Sequence, residues 1–244
     1  GADVTISCGG TVNFIDSTVN AISSWFWDFG DSNTSTIQNP THSYSSTGLY
    51  TVTLIVTNAF GVDTLTKTNF INVVSTSPGP IAPFCSPTTV AFCCNVGVTN
   101  VTLAGINHSS GNASEGYSDY SCLKQTSLLA GQSYPISITT STSISENVRV
   151  WIDFNNDGLF NSINEVVYTD FNNTLNHNGN IAIPLTAVTN TPLRMRVVSD
   201  VGSSLASSCT NPTYGQVEDY GITILPNSNP PAIGFSANTT NTCN

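Results

Sequence analysis

LYTVTLIVTN, residues 49–58, is the stretch that decides the fold of the first part of the chain. Apolar side chains at positions 50, 52, 54 and 56 alternate with threonine at 51, 53 and 57, and this alternation predicts a half-buried strand. Upstream, Trp25, Trp27 and Phe29 share one face, and turn residues follow at 30–33 and 39–40. We therefore expect strands joined by tight turns.

The composition favours β-structure along the whole chain. Charged residues make up 8% and hydrophobic residues 39%, while Ser, Thr and Asn are abundant. Threonine suits a pleated, half-buried surface, and Asn and Ser suit turns. A length of 244 residues is enough for about two domains, each with its own core.

The charge balance excludes several classes of partner. The net charge is −10 with five basic residues, so we expect no nucleic-acid partner and no binding to an anionic membrane surface. No apolar run reaches the roughly 20 residues that cross a bilayer, so we expect no membrane insertion. The start, Gly-Ala-Asp, looks like a mature or excised end.

The first block, residues 1–75, resembles a known family. WDFGD at 27–31 and NPTHSYSSTGLYTVTLIVTN at 39–58 are similar to the PKD domain, an immunoglobulin-like β-sandwich. The resemblance implies an extracellular spacer or interaction module without catalytic activity.

A proline-rich linker at 76–84 leads to a second block at 85–225. GYSDY at 116–120, WIDFNNDGLF at 151–160, LRMRV at 193–197 and GQVEDY at 215–220 resemble the GEVED domain of large secreted bacterial proteins. Gln216 stands where that family usually has Glu. The alternation of this block predicts a second sandwich, and the resemblance implies no catalytic activity.

The final segment, 226–244, contains a linker and a short internal repeat. FSANTTNTCN at 235–244 is similar to GADVTISCGG at 1–10, with Cys243 aligned on Cys8 at an offset of 235 residues. We predict an all-β chain of two sandwiches in series, followed by the start of a further PKD-like repeat.

The acidic loop 151–165 is a candidate metal site. Asp153, Asn155 and Asp157 occupy positions 1, 3 and 5 of a calcium-type loop, with Gly158 at 6 and the Leu159 carbonyl at 7. Glu165 is at 13 rather than 12, so an EF-hand is not predicted. Oxygen ligands favour Ca²⁺, and a turn stabilised by the Asx side chains is the alternative. The weaker candidate ligands are Asn161, Asp219 and Asp119.

The GQVEDY motif predicts a buried ion pair. Strand alternation places Glu218 on the face of Tyr220, which should be buried, and a buried carboxylate needs a partner. Arg194 and Arg196 are the candidate partners.

Seven cysteines without CxxC spacing favour disulfides in an oxidising compartment over a zinc site. Cys85 and Cys209 could join the ends of the second block. Cys122 could pair with Cys93 or Cys94, which leaves the other for Cys8 and would tie the two domains together. Cys243 would then pair within the next repeat.

Several sequons suggest glycosylation. They are Asn33, Asn100, Asn107, Asn112, Asn172 and Asn238 for N-linked glycans, and Ser17 and Thr64 in Asp-Ser/Thr-x sequons for O-linked glycans. We expect His42, His108 and His177 to be surface or turn residues, and no catalytic triad is predicted.

These patterns predict a secreted, non-catalytic repeat unit of a structural or adhesive surface protein or fibre, stabilised by calcium. Its partners would be neighbouring repeats or further copies of the same protein, and glycans. The alternative is a carbohydrate-binding accessory region of a secreted hydrolase, for which Trp25, Tyr117 or Tyr214 would form an exposed platform.

Overall fold

The computed structural model describes residues 6–228, apart from 93–94, 111–114, 141, 143, 162, 174 and 203. Within these residues the chain consists of strands, turns and loops without a helix, which confirms the predicted all-β class. The strands form two groups, and the described residues between 76 and 99 contain no strand.

The first domain is a sandwich of a large and a small sheet. Its strands are β1 (Ile6–Cys8), β2 (Thr11–Asn13), β3 (Ser24–Asp28), β4 (Thr34–Ser35), β5 (Thr41–Ser43), β6 (Gly48–Asn58) and β7 (Gly61–Ser75). The large sheet has the order β1-β7-β6-β3-β4, and β2 pairs with β5. β1 runs parallel to β7, and the other pairs are antiparallel.

The predicted alternation positions the core of this domain. Val52 and Val56 are buried, and Leu54 lies opposite Trp27 across the β3–β6 pair. Trp27 packs against Phe14, with ring centroids 5.4 Å apart. The one-face pattern therefore gives a single apolar core between the two sheets.

The second domain is a larger sandwich. Its strands are β8 (Asn100–Leu103), β9 (Ile106–Ser109), β10 (Tyr117–Asp119), β11 (Gln125–Leu129), β12 (Ser133–Thr139), β13 (Glu146–Ile152), β14 (Val166–Asn173), β15 (Asn176–Ala182), β16 (Pro192–Asp200) and β17 (Gln216–Leu225). One sheet has the order β10-β17-β16-β13-β14, with β11 also paired to β17, and the other has the order β15-β12-β8-β9.

The central strands of the larger sheet are buried on both faces. One face packs on the second sheet through residues such as Val150, Met195 and Ile222. The other face carries a smaller apolar cluster that includes Trp151 and Val217. Because both faces are covered, most odd-numbered and most even-numbered side chains of β13, β16 and β17 are buried.

Two disulfides connect distant parts of the chain. Cys85–Cys209 lies within the second block, as predicted. Cys8 forms a disulfide with Cys122. The prediction that these two cysteines would pair with Cys93 and Cys94 is therefore wrong. The predicted covalent connection between the two blocks is nevertheless present. Cys93, Cys94 and Cys243 lie outside the described residues.

The linker passes close to this inter-domain disulfide. The Gly9 N–H donates to the Ser75 carbonyl at 2.7 Å. A Cβ at Gly79 would stand 2.8 Å from the Cys8 Cβ, so a larger residue would displace the disulfide or the linker. The domain boundaries at 75, 84 and 225 stay predictions. In the described part of the chain, no helix has the length and apolar character needed to cross a membrane.

Candidate functional site

The acidic loop after β13 is organised around Asp153, which is 1% exposed. Its carboxylate accepts the N–H groups of Asp157 at 3.1 Å and Gly158 at 2.9 Å. Its own N–H donates to the Arg194 carbonyl at 2.9 Å. Asp153 is therefore fixed to the sheet on one side and holds the loop closed on the other.

Glu165 closes the loop from its far end. Oε1 accepts the N–H groups of Phe154 at 3.0 Å and Asn155 at 3.4 Å, and Oε2 accepts the Asn161 N–H at 2.7 Å. The Glu165 carbonyl accepts the Ile152 N–H at 2.9 Å. The structure thus brings Glu165 to the same loop as Asp153.

The remaining predicted ligands take part in short turns. Asn155 Nδ2 donates to Asp157 Oδ2 at 2.9 Å, and Asp157 Oδ1 accepts the Leu159 N–H at 2.8 Å. Asn161 Oδ1 accepts the Ile163 N–H at 2.8 Å. The bonds from the Leu159 and Ile163 N–H groups are the Asx turns of the alternative interpretation, and they leave lone pairs on the carboxylate and amide oxygens.

Carboxylates accumulate in this loop, and none of the ion pairs among the described residues joins them to a cationic side chain. Burial raises the pKa of Asp153, and the negative charge of Asp157 raises it further. Burial also raises the pKa of Glu165, with a contribution from Asp153. Asn156 Oδ1 has no hydrogen-bond partner among the described residues. Over the same residues, no group of three or more His, Cys, Asp or Glu side chains is arranged to hold a metal ion.

The linker rests on this loop. Gly158 has a φ of +79°, and its carbonyl accepts the Phe84 N–H at 2.9 Å. A Cβ at Gly158 would stand 3.0 Å from the Ala82 carbonyl oxygen. Glycine at this position therefore allows both the turn and the close approach of the linker.

A buried arginine cluster lies on the outer face of the larger sheet. Arg196 is 0% exposed, and its Nε and Nη2 donate to the two oxygens of Asp219, each at 2.8 Å. Nη1 donates to the Ser208 carbonyl at 3.1 Å and Nη2 to the Cys85 carbonyl at 3.0 Å. The guanidinium carbon lies 4.9 Å from the ring centroid of Phe160.

Arg194 extends this cluster towards the linker. Its Nη1 donates to Asp119 at 2.7 Å and to Asp219 at 3.1 Å, and its Nε donates to the Ile81 carbonyl at 3.2 Å. Burial opposes the charge, but the carboxylates of Asp219 and Asp119 raise the pKa of Arg194. Tyr117 donates its hydroxyl hydrogen to Asp219 at 2.9 Å. Asp119 and Asp219 thus bind arginines rather than joining the acidic loop, which corrects their weaker prediction as metal ligands.

The prediction of a Glu218–arginine pair is wrong. In the register of β16 and β17, Arg196 lies opposite Asp219 and Val197 opposite Glu218, so Glu218 faces the inner core. It accepts hydrogen bonds from the Tyr220 hydroxyl at 2.6 Å and from Gln216 Nε2 at 2.9 Å. The prediction failed because it gave the sheet one buried face, whereas both faces are buried.

The side chains that donate hydrogen bonds to Glu218 are neutral. Burial raises its pKa to about 7. The Tyr220 oxygen also lies 3.1 Å from His108 Nδ1, and Gln216 Nε2 lies 3.4 Å from Glu115 Oε2. Gln216 thus contributes an amide between two carboxylates, where a glutamate would add a third acid. The sequence offered one signal for this network, the tyrosines of the GYSDY and VEDY motifs.

A second buried polar chain involves His177, which is 0% exposed and so contradicts its expected surface position. Its Nε2 lies 3.1 Å from Thr140 Oγ1, and its Nδ1 lies 3.2 Å from Asp170 Oδ2. Burial lowers the pKa of His177. The order hydroxyl, imidazole, carboxylate is that of a nucleophilic triad. However, Thr140 is 2% exposed, so a substrate from solution could not reach its hydroxyl.

The aromatic residues predicted for a glycan platform belong to two different domains. Trp25 lies in the first domain and donates its Nε1 hydrogen to Asp16 at 2.7 Å. Tyr117 lies in the second domain, with its hydroxyl bonded to Asp219. Tyr214 is exposed.

The candidate glycosylation sites stay predictions. Exposed positions are Asn33, Asn107, Asn172, Ser17 and Thr64, and Asn100 is half-buried. Asn112 and Asn238 lie outside the described residues.

Comparison with protein families agrees with this organisation. A family model for the PKD domain matches residues 2–73, and one for the GEVED domain matches residues 147–223. The chain contains a PKD domain followed by a GEVED domain. In the structure, the sandwich of the GEVED domain also includes β8 to β12, which precede the matched residues. No curated protein matches the chain.

Among solved structures, the chain is similar to Clostridium thermocellum CbhA fibronectin(III)-like modules, with 11% identity, 93% of this chain and 94% of that chain covered, and a TM-score of 0.27. It is also similar to carbohydrate-binding modules of the β-sandwich superfamily, with 16% identity, 75% and 82% coverage, and a TM-score of 0.28. Likenesses with such TM-scores carry no argument about function.

Proposed function

We propose that the chain is a non-catalytic structural unit of an extracellular surface protein or fibre, in which the PKD and GEVED domains act as one connected body. The observation that carries this proposal is the Cys8–Cys122 disulfide, which joins the PKD domain to the GEVED domain across 114 residues. A covalent tie of this kind transmits force between domains and limits their relative motion.

The linker supports the same proposal. In a flexible spacer, the backbone would be solvated and free of fixed contacts. Here the carbonyls of Ile81 and Cys85 accept hydrogen bonds from Arg194 and Arg196, and the Phe84 N–H donates to Gly158. Further along, the N–H groups of Val90 and Ala91 donate to Pro212 and Thr213, each at 2.9 Å. The end of the linker, at Ile81 and Phe84, and the segment that follows it as far as Ala91 are therefore bound to the rest of the GEVED domain.

Rotational diffusion tests the proposal. NMR relaxation of the intact chain should give one correlation time for both domains, and a Cys8→Ser/Cys122→Ser double variant should give shorter, separate ones. The matched control is Cys85→Ser/Cys209→Ser, which opens a disulfide within the GEVED block and should leave common tumbling in place. Independent tumbling in the intact chain would refute the proposal.

We further propose that the loop 153–165 binds Ca²⁺ through Asp153, Asn155, Asp157, Glu165 and the Leu159 carbonyl. The described acidic side chains are not already grouped around one point, so on this proposal the ion draws them together when it binds. The donors are oxygens, which suit a hard cation. Burial raises the pKa of both Asp153 and Glu165, and the charge of Asp157 adds to this at Asp153 as the charge of Asp153 does at Glu165. A bound cation would offset this accumulation of negative charge. Hydrogen bonds from backbone N–H groups are compatible with this, because each carboxylate oxygen has a second lone pair. A bound calcium ion would make this loop rigid, together with the linker that is hydrogen-bonded to it.

Calorimetric titration with Ca²⁺ and thermal unfolding with and without EDTA test this part. We expect one ion per chain and a lower Tm after chelation, because the ion binds the folded state alone. Asp153→Asn should remove both effects. Asn172→Asp, which adds a carboxylate elsewhere, should leave both intact. Absence of binding at millimolar calcium would leave the loop as a set of Asx turns.

A further inference from the structure

One end of the PKD domain carries a cavity that the structural role does not use. It lies between residues 18–22 and the hairpin formed by β6 and β7, and has a volume of about 320 Å³. That volume is at the lower end of the range for small-molecule sites, about 300–1,000 Å³. Its lining includes Val56, which is buried, and Phe60, which is exposed.

Phe60 is the unusual feature of this end. Its side chain is 99% exposed at the tip of the hairpin, and Val19, which also lines the cavity, is 74% exposed. An aromatic ring so exposed buries no area in the chain itself, so it contributes little to folding. It can, however, offer a flat apolar surface to a ligand.

Polar groups surround the same cavity. Asn58 Oδ1 accepts the Phe60 N–H at 2.8 Å, which orients the amide, and its Nδ2 supplies a hydrogen-bond donor. Asp63 Oδ1 accepts the Thr64 N–H at 2.8 Å, which leaves Oδ2 as an acceptor. Asn20 and Thr18 add further hydrogen-bonding groups.

The charges around the cavity indicate which class of ligand it can bind. Among the described residues that line it there is no Lys, Arg or His, and Asp63 is its carboxylate. The chain as a whole carries a net charge of −10. Anionic ligands are therefore repelled, and a neutral ligand must combine an apolar face with several hydroxyl groups.

We infer that this cavity binds a neutral saccharide, with one face of a sugar ring packed on Phe60 and its hydroxyls bonded to Asn58 and Asp63. A pyranose has the required chemistry, since its axial C–H groups form an apolar face and its hydroxyls both donate and accept. The site would give the structural unit an adhesive function. It does not rest on the connection between the domains, because all its residues belong to the PKD domain.

The test is a titration of the ¹⁵N-labelled chain with glucose, galactose, mannose and N-acetylglucosamine, followed by NMR chemical shifts. At least one sugar should shift the resonances of residues 18–22 and 56–63 with millimolar affinity. Phe60→Ser should weaken binding about tenfold or more, given the usual contribution of an aromatic contact. Asp63→Asn should also weaken it. Phe84→Ser, which removes a 79% exposed aromatic in another region, is the matched control and should bind normally.

Three outcomes would overturn the inference: no shift in these resonances with any of the sugars, binding that survives Phe60→Ser, or binding of glucosamine alone, which would indicate a site for amines. Glucuronate serves as the anionic control and should not bind. Opening Cys8–Cys122 should leave the affinity unchanged, so failure of the structural proposal and failure of this one are distinguishable.

Discussion

Glu218 and Asp219 are neighbours in one strand, both are 0% exposed, and their carboxylates are accommodated in opposite ways. On the outer face, Asp219 receives two hydrogen bonds from Arg196, one from Arg194 and one from Tyr117. On the inner face, Glu218 receives hydrogen bonds from Tyr220 and Gln216, which are neutral.

The difference shows two solutions to the cost of burying an acid. A charged carboxylate can stay ionised in the interior when a bidentate guanidinium compensates it. A carboxylate among neutral donors lowers its cost by binding a proton instead, which is why burial raises the pKa of Glu218 to about 7. We therefore expect the stability of the outer face to depend on the charge of Asp219, and the stability of the inner face to depend on pH.

The largest effect should follow from removing the charge on the outer face. Asp219→Asn leaves Arg196 buried without a counter-ion, and we expect a loss of about 3–5 kcal/mol in the free energy of unfolding. Urea unfolding monitored by tryptophan fluorescence measures it.

Asp119→Asn is the matched control. The side chain of Asp119 is 40% exposed, and Arg194 keeps Asp219 as a partner when Asp119 is neutralised, so the loss should be roughly 1 kcal/mol or less. Equal losses in the two variants would mean that the outer face does not depend on the buried pair.

A smaller effect is expected on the inner face, where the titration of Glu218 should make the free energy of unfolding depend on pH. The pKa of Glu218 is raised from 4.5 to about 7, so the folded state binds the proton more tightly than the unfolded state. Its stabilising contribution is full below about pH 4.5 and is lost as the pH rises through about 7, a change of up to about 3 kcal/mol.

Glu218→Gln removes this titration. The difference in unfolding free energy between wild type and variant should therefore decrease from pH 4.5 to above pH 7 and then stay constant. A difference that is flat over this range would show that Glu218 stays ionised. Glu115→Gln, at an exposed acid of the same network, should retain most of the slope.

The smallest effect concerns the linker on the outer face. Alanine at position 158 would combine a positive φ with a Cβ that stands 3.0 Å from the Ala82 carbonyl oxygen. Alanine at position 202 would have a φ of +72°, but its Cβ would have no described atom within 4 Å. The positive φ alone costs about 1 kcal/mol, so Gly202→Ala should lose about that amount and Gly158→Ala about 1 kcal/mol more. Thermal unfolding of both variants checks it. Equal losses would mean that the linker is not seated on this loop.

The features that depended on local pattern were predictable from the sequence. The alternation in 49–58 and 193–197 identified strands and their apolar faces, and the buried position of Glu218 followed from the same alternation. The Asx-rich loop 153–165 forms a turn in which Asp153 and Glu165 converge, as its spacing suggested. The pairing of Cys85 with Cys209 was also anticipated.

Features that depended on contacts between distant segments were not predictable. Alternation indicates which side chains share a face, but it does not indicate what covers that face. Arg194 and Arg196 take backbone partners from Ile81 in the linker, from Cys85 and from Ser208, and these segments cover the outer face. The Cys8–Cys122 pairing likewise depended on how the two domains meet.

The sequence by itself therefore determined the all-β class, the two sandwiches and the acidic loop, because strand period and turn chemistry act over a few residues. The tertiary structure alone decided that Asp219, rather than Glu218, pairs with the arginines, and that the linker is bound rather than free. The physical reason is that the stability of a buried charge depends on whichever groups surround it in space, and these groups come from segments more than 100 residues apart in the chain, as with Cys85 and Arg196.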